Sequence, residues 1–381
     1  MTLVRSILIA AAMPLAVALV GCVPPVPTPV VKIPVSETLD AEGVVEGAFS
    51  PSAFAFAEDG RVFYTEKQTG RIRVIANGLL LDAPFATVPV NFAGDRGLNG
   101  IALHPNFAQN GRLYVFYSRA DGGVSTNDPN AIIDNRVVYF VADGNTASGG
   151  EIFVASLPAA ASTVRVGGTL AFDNDSRLLV GIGDIADIFG AQSATPLVGK
   201  VLRYDDAGGI PGDNPIADSP VLAIGFRDVQ GLAIDPVTGD PFVTEQNENG
   251  FQEVNRIRGG RNYGWPAVIG FAKAPNELAF ATATPTYTDP LFESSTDLVT
   301  MRGCAFNPGA KYGTDATNQL FFADPSGQQV FLVELNPGRT AATARPFLGP
   351  FPNPVTAVGF TSFGTMYVAT ESAIYKISPR S

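Results

Sequence analysis

The chain has 381 residues, 46% of them hydrophobic, with 25 Lys and Arg against 36 Asp and Glu for a net charge of −11. That apolar content excludes wholesale disorder, and an acidic balance with no basic run in the body of the chain excludes an electrostatic footprint for nucleic acid. Two cysteines, Cys22 and Cys304, and one histidine, His104, exclude by count a zinc site built from several Cys or His ligands.

In chain order, Arg5 and the apolar run over residues 7–20 have the make-up of a signal peptide, too short and too poorly flanked for a membrane span. The run ends Leu19-Val20-Gly21-Cys22. A small residue before the cut and a thiol able to take a diacylglycerol have the form of a bacterial lipobox; an ordinary signal with a chance cysteine is the plainer reading. Residues 1–21 are therefore expected to be a removable lipoprotein signal, Cys22 the lipidated residue, and the mature protein exported and lipid-anchored in the cell envelope. Residues 22–40 include VPPVPTPVVKIPVS from Val23. Proline removes donors and favours extended backbone, so this stretch reads as a semi-rigid tether. Residues 41–381 read as one domain, a length that closed β folds reach.

Forty glycines and 30 prolines, with no collagen period, point to many tight turns between short strands. One pattern recurs: a small residue, alternating apolar residues, a turn, then a second apolar strand. Copies begin at Ala53, Gly100, Gly168, Gly231, Gly303 and Ala357. Apolar alternation broken by Asp-Gly and Asn-Gly turns is the hairpin signal. Six such units predict an all-β fold, a six-bladed β-propeller, with the longer intervals forming loops on the binding face. A β-sandwich is the alternative, though sandwiches rarely repeat one motif six times.

Five stretches carry a family likeness: GDRGLNGIALHPNFAQNGRLYVFY from Gly94, GKVLR from Gly199 with GGIPGDNP from Gly208, GFRDVQGLAIDPVTGDP from Gly225, Glu253-Val254-Asn255, and Asn262-Tyr263-Gly264-Trp265-Pro266. Taken in order over roughly Phe49 to Ile377, they resemble the glucose/sorbosone dehydrogenases, six-bladed propellers many of which use pyrroloquinoline quinone (PQQ) and calcium to oxidise the C1 hydroxyl of a sugar. The resemblance implies a proton acceptor at Arg165, in Arg165-Val166-Gly167-Gly168-Thr169-Leu170, where the family has histidine. A guanidinium stays protonated in proteins and cannot serve as a general base. It further implies cofactor contacts at Asp95, Gln192, Arg227 and Asp228, the last standing where asparagine is usual, and calcium at Glu253 and Tyr263. The stretch Asn353-Pro354-Val355-Thr356, where the family has further arginines, has none.

Asp184 and Asp187 sit at a strand end on the expected mouth side, either as proton acceptors or as turn formers. His104 reads as a structural histidine at a strand end. Two functions compete. One is a PQQ-dependent sugar dehydrogenase of altered site. The other is a non-catalytic envelope module that binds a small sugar-like ligand or an envelope protein, as a monomer that meets the membrane only through its lipid.

Overall fold

A computed structural model describes residues 32–159, 162–294 and 299–380. The expected signal, Cys22 and most of the expected tether lie outside the described residues. Within them the chain forms six small antiparallel sheets, each of four or five strands.

The innermost strands of the six sheets are Pro51–Phe56, Leu98–Leu103, Gly167–Phe172, Val229–Ile234, Arg302–Phe306 and Val355–Phe360. They define blades 1 to 6 in that order. Each packs against the next, and the sixth packs against the first, so the ring is closed. All six repeat copies fall on these strands, and the repeat's leading small residue has a steric cause. A Cβ added at Gly100 would meet the Gly168 carbonyl oxygen at 2.1 Å, and one at Gly231 would lie 2.7 Å from the Cys304 nitrogen. Around the axis, neighbouring backbones approach too closely for a larger side chain.

The second strands Val62–Glu66, Leu178–Ile182 and Leu320–Asp324 are buried throughout. They are covered on both faces by adjacent blades, and so read as continuous apolar runs rather than alternating ones. The core is accordingly six cores, one in each gap between blades. Phe63, Phe85, Phe107 and Phe140 lie between blades 1 and 2; Phe321, Phe351 and Phe360 lie between blades 5 and 6. This is where the abundant phenylalanines go, several in edge-to-face pairs such as Phe63–Phe85 at 5.5 Å.

Blade 6 is built from both ends of the chain. Leu39–Glu46 pairs antiparallel with Ala373–Pro379, and Lys32–Pro34 pairs outside it. The tether expected through residue 40 therefore ends sooner, because residues 32–34 and 39–40 are strand. Proline is tolerated there because the strand is at the sheet edge, where a missing donor faces outward.

Candidate ligand site at the propeller mouth

Each inner strand breaks register with its neighbour near its start: at Pro51/Phe54, Leu98/Gly100, Gly167/Thr169, Val229/Gly231, Arg302/Cys304 and Val355/Ala357. A bulge ends pairing and re-aims a side chain. Ser52, Asn99, Gln230, Gly303 and Thr356, all within these bulges, line one cavity of about 260 Å³ at the mouth of the ring. That is slightly below the ~300 Å³ lower end for drug-sized ligands, so it suits one ring-sized molecule. Beneath lies a narrower space of about 90 Å³ that shares Ser52, Asn99, Thr169 and Gln230 and ends on Phe54, Ile101, Leu170, Leu232 and Val358. The mouth is thus a polar cup above an apolar floor.

The second strands run back to the same end and finish in acid, at Glu66, Asp184, Glu245, Asp324 and Glu371. Most of these carboxylates are occupied. Glu66 binds Arg73 at 3.0 Å and Thr69 at 2.6 Å, and Asp324 accepts from Thr300 and Ser326. Beside them, Lys67, Asp95, Arg302 and Glu371 line the cavity. Burial, reinforced by the nearby Arg302 charge, pushes the Lys67 amine down to about 8, while Asp95 and Asp228 pull it up. Arg302 Nη2 stands 3.8 Å from Asp95 Oδ1, and Asp95 Oδ2 accepts from the Arg165 backbone N–H at 2.9 Å.

Most of the sequence-predicted residues are committed to protein partners. Arg165 Nε pairs with the fully buried Asp184 at 2.9 Å. The other Asp184 oxygen accepts from Trp265 Nε1 at 2.9 Å, and Ala186 N–H also donates to this carboxylate. Asp184 is thus fully buried with a partner on each oxygen and is not among the residues lining the cavity, and Asp187 is exposed and accepts from Gly190 N–H. Arg227 donates to the Gln246 carbonyl at 3.1 Å and stacks 5.4 Å above Trp265. Gln192, expected beside a cofactor, spends its amide on Asn262 and the Trp265 carbonyl. Asp228 is buried. Burial first and the Asp95 charge second push its carboxyl up to about 7, and its Oδ1 has no hydrogen-bond partner among the described residues. His104 is buried with Nδ1 accepting from Asn106 N–H, a structural role.

Glu253 and Tyr263 do not share a hydrogen bond. The Tyr263 hydroxyl donates to the Arg256 carbonyl and accepts from Arg258 N–H, with its ring stacked on Phe226. Glu253 instead faces Asn247, Asn255 and Gly270 N–H, beside the equally buried Glu245. Burial pushes the Glu253 carboxyl up to about 7, and burial together with the Glu253 charge raises Glu245.

Two fits follow. Among the described residues Asn247 Oδ1 and Asn255 Oδ1 are buried without partners. These and the Glu245 and Glu253 carboxyls are oxygen donors of the kind a hard cation takes, but both amides turn their nitrogens to Glu253, and among the described residues no three His, Cys, Asp or Glu side chains are gathered as for a metal ion. A tricarboxylate quinone fits less well at the expected positions. Arg165 is paired with Asp184, Arg227 donates to the Gln246 carbonyl, Gln192 is bonded to Asn262 and Trp265, and Asp228 adds an acid. Among the described residues, the cations left to meet a carboxylate at the mouth are Lys67 and Arg302. Lys67, Arg302 and Glu371 were missed from the sequence. The acid closing five of the six repeat copies, as in YTE, GIGD, VTE, FAD and ATE, was the signal that could have marked this end of the strands.

The glucose/sorbosone dehydrogenase model matches residues 49–377. An uncharacterized Synechocystis protein is 33% identical over 287 residues, covering 66% of each chain. The aldose sugar dehydrogenase YliI of Escherichia coli is 26% identical over 90% of this chain and 94% of its own. The PQQ-bound aldose sugar dehydrogenase of Streptomyces coelicolor superimposes with a TM-score of 0.74 at 24% identity, over 91% of this chain and 100% of that one.

Proposed function

The chain belongs to the glucose/sorbosone dehydrogenase family of PQQ-dependent sugar dehydrogenase-like propellers, and from that premise we propose that it binds one sugar molecule at its mouth and has lost most of the family's turnover. The observation that carries this is Arg165, held 2.9 Å from buried Asp184 at the position of the expected base. Oxidising a C1 hydroxyl removes a hydride from carbon and a proton from oxygen. A positioned base is typically worth about a hundred- to ten-thousandfold. Arg165 cannot take that proton, and Asp184 is buried, ion-paired with Arg165 and bonded to Trp265 and Ala186. Asp228 has a carboxyl at about 7, a suitable value for a base, but it is not among the residues lining the cavity.

The polar cup itself supports binding. Thr356 Oγ1, buried without a hydrogen-bond partner among the described residues, lines the cup with the Gln230 and Asn99 amides, polar groups of the kind a polyol meets, while Ser52 is bonded to Thr65 and Leu98. Binding needs shape and donors rather than a base. Calcium belongs to this reading as a structural ion held by Glu245, Glu253, Asn247 and Asn255. The small Gly21 directly before the Cys22 thiol supports export and lipid anchoring.

The test pairs calorimetry with a dye-linked assay across a sugar panel, with PQQ and calcium supplied. Sugar binding with turnover at least about a hundredfold below the E. coli aldose sugar dehydrogenase is expected. Comparable turnover would refute the reading and make Asp228→Asn the next variant to assay.

A further inference from the structure

We propose that Arg302, seconded by Lys67, is a carboxylate-binding fork at the mouth that makes the site prefer a sugar acid to the neutral sugar. The inference rests on the sugar-binding reading above and names the ligand's class.

Arg302 opens the inner strand of blade 5, and the break in register at Arg302/Cys304 falls directly after it. Its side chain lines the cavity. Asp95 enters from blade 2, on the opposite side of a six-membered ring, so the pair spans the mouth. A guanidinium carries five N–H donors in a planar fork. Among the described residues, the nearest acid oxygen to Arg302 stands 3.8 Å away, outside hydrogen-bond range, and its side chain makes no hydrogen bond to any of them. Arg165 and Arg227 are different: each donates to, or pairs with, an acceptor of the protein within about 3 Å.

Asp95 is not free to close the gap, because its Oδ2 already holds the Arg165 backbone N–H at 2.9 Å. Lys67 Nζ, within the same cavity, has one protein acceptor, the Gly94 carbonyl at 2.9 Å, leaving two donors. The two cations also repel each other, which an anion placed between them would relieve. A carboxylate is the group that meets a guanidinium fork in two parallel bonds.

Local charge sets the valence. The Arg302 and Lys67 charges are balanced by Asp95 and Glu371, which line the same cup, so the pull on an anion is local to the fork. A single carboxylate can sit between the two cations, while a dianion such as a phosphate ester would bring a second charge toward the acids and is opposed. Ser52, Asn99, Gln230 and Thr356 then face the hydroxyls of the same molecule. A hexuronate or aldonate matches both halves, within a cup of about 260 Å³.

The experiment is calorimetric titration of the full-length protein in mild detergent with glucuronate, glucose and PQQ in separate arms. Glucuronate should bind at least about tenfold tighter than glucose, since charge-assisted bonds are the stronger class. Arg302→Gln should bring the two affinities within about threefold, with an unchanged melt as the folding control. Arg302→Lys should keep part of the preference, and Asp95→Asn, which removes the competing acid, should enlarge it. Equal affinities in the wild type, or a preference that survives Arg302→Gln, would overturn the proposal. PQQ displacing glucuronate in an Arg302-dependent way would assign the carboxylate to the quinone and overturn the sugar-acid assignment. Binding of glucose without preference sinks only this inference; binding of neither compound sinks the sugar-binding reading with it.

Discussion

Replacing Arg165 with leucine should strand a carboxylate in the interior. Asp184 is fully buried and held by Arg165, Trp265 and Ala186, each at 2.9 Å. Removing one partner of a buried pair costs about 3–5 kcal/mol. Two of the three donors stay, and the Arg165 side chain is 15% exposed, so water can reach the gap; a loss of about 2–3 kcal/mol is the fitting figure. Arg165 sits at φ +60, which is as unfavourable to leucine as to arginine, so the backbone contribution cancels. About 350 folded residues at ~2.1 cal/mol/K each give an unfolding entropy near 0.7 kcal/mol/K, and the loss becomes about 3–4 °C in Tm. Burial already raises the Asp184 carboxyl above its ordinary value while Arg165 opposes that shift; without Arg165 it rises further. An acid whose folded pKa is raised destabilises the fold above that pKa, and the penalty fades as pH falls through it. The deficit should therefore be larger at pH 7 than at pH 5, and adding Asp184→Asn should recover at least half of it. Calorimetric melts of the three proteins at both pH values decide the matter. No loss at pH 7, a pH-independent loss, or no recovery in the double variant would refute the reasoning.

Three further outcomes are expected. Calcium at a hundredfold excess over its Kd should stabilise the protein by about 2.7 kcal/mol; because Glu253 must give up a proton held to about 7, affinity should weaken below that pH, and a melt indifferent to calcium and to Glu253→Gln would exclude the site. Since the Lys67 amine lies at about 8 among Asp95, Asp228 and Arg302, acid-ligand affinity should decline between pH 7 and 9 while glucose affinity holds, and Lys67→Met should flatten that decline; a steep profile in the variant would point to another group. Cys22→Ser should move the protein from the membrane to the soluble fraction, and its retention there would count against lipid anchoring.

The inner strands were legible because crowding at the axis writes itself as a small residue at a fixed phase, as Gly100 and Gly231 illustrate. That an arginine, Arg165, stands where the resemblance implies a base was legible too, from the residue itself. Its lock on Asp184 was not, since that depends on a φ of +60 and on Trp265 arriving from a distant loop. Strand Lys32–Pro34 hid behind its proline, whose edge position no local pattern reveals. Arg302 and Lys67 drew no reading from the sequence, because only ring closure brings blades 1, 2 and 5 to one cup. Glu253 and Tyr263 fit the calcium expectation by spacing, but packing sends the tyrosine hydroxyl to Arg256 and the carboxylate to Asn247 and Asn255.

The pairing of Leu39–Glu46 with Ala373–Pro379 joins segments more than 300 residues apart. The ring is then a clasp that no partial chain can fasten: blades 1 to 5 can form as the polypeptide lengthens, while blade 6 must wait for the final strand. Bringing distant ends together slows assembly far more than it weakens the finished fold, since loop-closure cost grows only logarithmically with length. An incomplete chain therefore exposes the edge of blade 5 and the open side of blade 1. Such a late-closing chain suits the export proposed above, because it can be threaded through a translocation pore before the clasp shuts.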